Sequence, residues 1–224
     1  MRNRSAFTLV EVLVVVAILG LLASVLMPAV QNVRAAARRT ECKNGLRQIG
    51  VGIHMFANTN SGRFPFNTHK GAMKSWIYTL APYMENVDQV RLCPDDAKYE
   101  ERLSGTNKGT SYIISNYVSS DKLAGAMMNL HKLQKTTTLA ILFEVSQSRS
   151  ITADHAHVSS WYSTINVANG TVWQALEGEV DTKRHHAAAN YLFADGHVDT
   201  ISAQELSEIV SRDIAEKTCW FKPK

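Results

Sequence analysis

Glu11 is the one charge in an apolar stretch that runs from Phe7 to Val30. Burying a carboxylate in a membrane-length helix is expensive, costing about 2.5–3.5 kcal/mol at the helix centre and less toward an end. A cationic partner must offset it. A cut between Ala6 and Phe7 would supply one, because it removes Arg2 and Arg4 and leaves a new α-amino group four residues before Glu11. On a helix that amine reaches the carboxylate of its own chain, or of a neighbour packed alongside in an apolar bundle.

A second set of chemically capable side chains lies in the last third of the chain. Asp154-His155-Ala156-His157, His185-His186 and Asp195-Gly196-His197-Val198-Asp199 offer nitrogen and oxygen donors suited to zinc or calcium. None of the spacings is a strong metal signature, so no cofactor is expected. Were a metal to bind, His155, His157, His185, Asp195 and His197 would be its candidates. The structural alternative is that Asp195 and Gly196 set a turn while His185 hydrogen-bonds a nearby strand. The sequence has no His-Glu-x-x-His, phosphate loop, Gly-x-Ser-x-Gly elbow or dinucleotide glycine pattern. No catalytic residue is expected, and the chain reads as a non-enzyme.

The elements that must position these groups begin with the apolar run. Residues 7–30 as a helix are about 36 Å long, enough to cross a hydrocarbon core of about 30 Å. Helical spacing continues beyond it through Val30, Val33 and Ala37, and then through Leu46, Ile49, Ile53 and Phe56, a stripe expected to bury against a domain. Gly20 and Pro28 interrupt the pattern, and a kink or local melting is expected there. The turn formers Asn58-Thr59-Asn60-Ser61-Gly62 should end the helix.

The remainder, 61–224, reads as one globular α+β domain, since 224 residues with 45% hydrophobic content fill one sizeable core beyond the span. Ser75–Met84 suggests a brief helix with Trp76, Leu80 and Tyr83 on one side. Ser111–Val118 and Thr137–Val145 read as strands. Asn190–Ala194 and His197–Ile201 flank Asp195-Gly196, which predicts a hairpin with a two-residue turn. Ser202-Ala203-Gln204-Glu205 is a capping box ahead of a last helix. Formal charge is +4, and loss of Arg2 and Arg4 lowers it to +2, so nucleic acid is not an expected partner. The basic cluster from Arg34 to Arg47 more simply solvates a helix face or meets lipid headgroups.

Phe7, Thr8, Leu9 and Glu11 behind a short basic leader resemble the Phe-Thr-Leu-x-Glu motif of type IV prepilins and type II secretion pseudopilins, with Ala6 in place of the usual Gly. The resemblance implies a leader, 1–6, cut before Phe7 by a prepilin peptidase that also methylates the new terminus. It implies a membrane and assembly helix at 7–30, its amphipathic continuation at 31–60, and a pilin-like fold in which the long helix packs on a small antiparallel sheet. It further implies that Glu11 registers neighbouring subunits, that Pro28 lets the helix bend, and that the partners are other pilin or pseudopilin subunits and inner-membrane lipid. The domain would then lie on the periplasmic or exterior side. A simple count of basic residues, with Arg2 and Arg4 before the span and Arg34, Arg38, Arg39, Lys43 and Arg47 after it, favours the opposite topology. The motif is the more specific signal.

Narrower similarity comes from Cys42–Gly50, Arg63-Phe64-Pro65, Trp76 with Pro82-Tyr83, Cys93-Pro94 and Thr110-Ser111-Tyr112. These resemble a pilin-like family abundant in planctomycete-type bacteria, whose signature is a His, nine residues, then Asp-Gly. His185, Asp195 and Gly196 match it. Competing readings of the N-terminus are a secretory signal ending near Ala35-Ala36-Ala37 and a plain uncleaved anchor carrying an exported binding or metal-dependent hydrolytic domain. Three cysteines allow at most one internal pair. Cys42 with Cys93 is preferred in an oxidising compartment because it would staple the helix to the loop before Pro94, and three free thiols are the alternative.

Overall fold

The computed structural model describes residues 9–105 and 107–223. Ala6 and Phe7 lie outside the described residues. Two compact units divide the chain, Met1–Arg38 and Arg39–Lys224. A single helix, α1 (Leu9–Thr59), runs through both.

In the first unit α1 presents large apolar side chains to its surroundings almost without interruption from Leu9 to Val33. This stretch is long and apolar enough to cross a membrane. The helix continues through Gly20 and Pro28, so the expected melting does not occur. Proline removes one amide donor, and intact turns on either side carry the helix past that loss. The expected burial of Val30, Val33 and Ala37 is also corrected, because all three are exposed. The stripe meets a partner only in the second unit, where Cys42, Leu46, Ile49 and Ile53 are fully buried.

The domain centres on a five-stranded sheet of order β3-β1-β2-β4-β5, formed by Tyr112–Ser115, Ala140–Glu144, His155–Ala156, Ala188–Phe193 and Val198–Ser202 as β1 to β5. β1–β2, β2–β4 and β4–β5 pair antiparallel, whereas β1–β3 is parallel. The sheet is therefore mixed, not antiparallel as expected. β3 is two residues long and leaves no alternating pattern to read. Successive side chains point to opposite faces. Tyr112, Ile114 and Leu192 pack with Leu46, Ile49 and Ile53 of α1, while Ile113, Phe143 and Tyr191 pack with Leu206 and Val210 of the C-terminal helix Ala203–Glu216. With both faces covered, every residue of β1 and β2 is buried. Close approach is needed at Gly45, where a Cβ would lie 2.9 Å from the Val90 carbonyl oxygen.

Local chemistry explains where the shorter elements depart from expectation. The strand beginning at Tyr112 stops at Ser115, whose hydroxyl accepts from the Tyr117 amide and starts a helical turn, Asn116–Ser119. The helix expected over Ser75–Met84 splits into Trp76–Thr79 and the tighter turn Ala81–Met84, with Pro82 opening the second piece. α1 ends at Thr59, where the Gly62 amide donates back to Ala57 and the Asn60 side chain to Phe56. Ser202 accepts from the Glu205 amide and opens the C-terminal helix.

Between the paired Phe193 and His197 the β4–β5 hairpin has a three-residue loop, Ala194–Gly196, in place of the expected two. Phe193 donates to the His197 carbonyl, and Gly196 donates back to Phe193 with φ +93°. This is a type I turn closed by a left-handed residue. A methyl group at Gly196 would find its nearest neighbour 3.5 Å away at His54, so the site has room and the cost of filling it is conformational. Gly196→Ala is expected to destabilise the protein by about 1 kcal/mol. Denaturant unfolding of the full chain in detergent would check this, and an unchanged midpoint would contradict it.

Candidate functional site

Glu11 lies in the first described turn of α1. Around it Leu9, Val10, Val12, Leu13 and Val14 are all exposed. Such a surface is stable only against lipid or another apolar helix. Pro28 sits further along the same exposed face-forming segment.

The candidate ligand histidines of the sequence fall into three separate places. Asp195 and His197 form one in the hairpin turn, where Asp195 accepts from both the His197 amide and its ring Nδ1, and the ring stacks on Phe193 at 4.3 Å. This fits the turn-setting reading.

His185 is the second. Its Nδ1 lies 2.9 Å from Asp95 and its Nε2 2.9 Å from Glu144, whose carboxylate also accepts from the Asn190 amide and side chain. Burial disfavours the imidazolium, but these two acids outweigh it and raise the His185 pKa. Cys93 Sγ is 3.8 Å from Nε2, and Cys93 is bonded to Cys42 in a disulfide. Both sulfurs are committed, so this cluster is a buried ion pair beside a crosslink. The remaining cysteine, Cys219, has its thiol pushed up to about 12 by burial, which makes it a poor nucleophile.

His155 and His157 form the third, joined by His69, which sequence reasoning missed. One ligand atom from each of the three rings lies within 4.8 Å of the others. Parallel pairing of β3 with β1 places His155 opposite Ile114, and Asn67 caps the short turn Thr68–Lys70 that carries His69. His155 Nδ1 is 2.7 Å from Asp154, and His157 Nδ1 is 2.7 Å from Glu179. The two Nε2 atoms face each other at 3.2 Å. Asp154 is fully buried and also accepts from the Thr68 amide and hydroxyl and from Ser75. Glu179 also accepts from the His157 amide and Trp161, and pairs with the Arg149 guanidinium at 3.3 Å. Burial pushes the Glu179 carboxyl up, but the bonds from His157 and Trp161 prevail and hold it below its ordinary value. His69 is held below the ordinary histidine range by burial first, then by His155 and His157.

A long apolar helix with an acid in its first described turn, running into a small mixed α+β domain, is the arrangement of a pilin-like protein. Comparison with known proteins agrees. Residues 1–27 match the prokaryotic N-terminal methylation motif, and residues 31–101 match a family described as protein of unknown function (DUF1559). Type II secretion system core protein G of Pseudomonas aeruginosa is 37% identical over 59 residues, which cover 26% of this chain and 42% of that protein. The match thus spans less than half of that relative's length. No solved structure matches the chain. His185, Asp195 and Gly196 lie outside both family-matched segments.

Proposed function

We propose that this chain is a structural subunit of a type IV pilus-like or type II secretion pseudopilus filament. A prepilin peptidase cuts before Phe7 and methylates the new amine. The helix anchors the subunit in the inner membrane with the domain on the periplasmic side, then packs against the helices of other subunits. The reading rests on one coincidence: an acid in the first described turn of an exposed apolar helix, inside the segment that matches a methylation motif. The chain itself acts as a building block, without catalysis.

Glu11 gives the direct test. In an apolar bundle its charge must be met by the amine of a neighbouring subunit, so removing it deletes the signal that seats each subunit. Glu11→Leu is expected to leave the protein in the membrane and abolish filament recovery in sheared-cell fractions. The intact mass of the wild-type protein should lack Met1–Ala6. A mass that begins at Met1, with filaments indifferent to Glu11→Leu, rejects the proposal.

A further inference from the structure

We infer that His69, His155 and His157 bind one zinc ion, supported from behind by Asp154 and Glu179. This goes beyond filament assembly and does not depend on it.

Tautomers carry the argument. An ionised carboxylate accepts hydrogen bonds and donates none, so the contacts to Asp154 and Glu179 place the proton on Nδ1 of both His155 and His157. With both rings in the neutral form, each Nε2 presents a lone pair to the other across 3.2 Å, and a metal ion held between them takes both lone pairs. Four-coordinate zinc with Zn–N bonds of about 2.0–2.1 Å sets neighbouring ligand nitrogens about 3.3 Å apart, which is the spacing these two rings already have.

The surroundings are those of a metal ligand set. Zinc-bound histidines donate their second N–H to a carboxylate or carbonyl, which fixes ring orientation and raises ligand basicity. Here both supporting acids are buried and anchored by further donors: Thr68 and Ser75 on Asp154, Trp161 on Glu179. His69 comes from a different part of the chain, is exposed, and brings a ring nitrogen within 4.8 Å of the ligand atoms of the other two. Nitrogen donors exclude calcium, which takes oxygen ligands. A cleft of about 290 Å³ opens beside His69, lined also by Asn116, Ser120, Lys122 and Leu123.

The test uses tag-free full-length protein in detergent, stripped with a chelator and titrated with Zn²⁺ by calorimetry and with Co²⁺ by visible absorption. One ion per chain is expected, with the intense d–d bands of four-coordinate cobalt. His69→Ala, at an exposed position that leaves the fold intact by circular dichroism, should weaken binding at least about 10-fold and alter those bands. Glu179→Gln should weaken it by about 10-fold through the lost support of His157. Wild-type protein that takes up no stoichiometric ion, or a His69→Ala chain that binds as tightly as wild type, overturns the assignment.

Discussion

His185→Ala is expected to destabilise the domain by about 3–5 kcal/mol, because it strands the fully buried Glu144 carboxylate opposite nothing but the Asn190 donors. For a domain of this size the midpoint of thermal unfolding should fall by about 10 °C. The pH dependence has a definite sign. His185 has its folded-state pKa raised, so its contribution is fully present below the unfolded value of about 6.5 and is lost as pH rises through the higher folded value. Wild-type stability should therefore decline on that alkaline side, and His185→Gln should flatten this part of the profile. A His185→Gln protein that retains the wild-type slope would show that another group titrates there.

Loss of the Cys42–Cys93 disulfide is the second large effect. The crosslink closes a loop of sequence separation 51, and the chain-entropy relation assigns about 4 kcal/mol to a loop of that length. Both cysteines are fully buried in the cluster formed by α1 and one face of the sheet, so Cys42→Ala with Cys93→Ala removes the link without introducing a polar atom. Full-length protein carrying both changes should unfold at lower denaturant concentration, and a reducing agent should shift wild type by a similar amount. Equal midpoints for oxidised and reduced wild type would show that the packed helix alone holds this junction.

How much of this was legible depends on whether the signal is local. The α+β class, the end of α1, the Ser202 cap and the β4–β5 hairpin each follow from neighbouring residues, and the sequence reading found them. The hairpin turn was misread by one residue, since Asp195-Gly196 suits either a two-residue turn or a type I turn closed by glycine. The mixed sheet was hidden because β3 is two residues long and pairs with β1 from across a long insertion. The candidate site was half visible. His155 and His157 announce themselves two apart, but His69 is brought to them only by the fold, and the His185 acids lie 90 and 41 residues away. A capped Asn67-Thr68-His69 turn was the available hint, and turns of that kind are common without any ligand. The burial expected for Val30 and Val33 failed for the complementary reason: periodicity identifies an apolar stripe but does not supply the surface that covers it.

The position of the disulfide has a mechanical consequence. Cys42 lies just inside the second unit, at the point where α1 enters the fold, and its sulfur leads covalently to the loop that carries Cys93. Tension applied along the helix reaches the protein at that junction and is shared at once between two strands of polypeptide. Pulling on the N-terminal end of α1 would load a chemical bond before it could peel Leu46, Ile49 and Ile53 off the strands they cover.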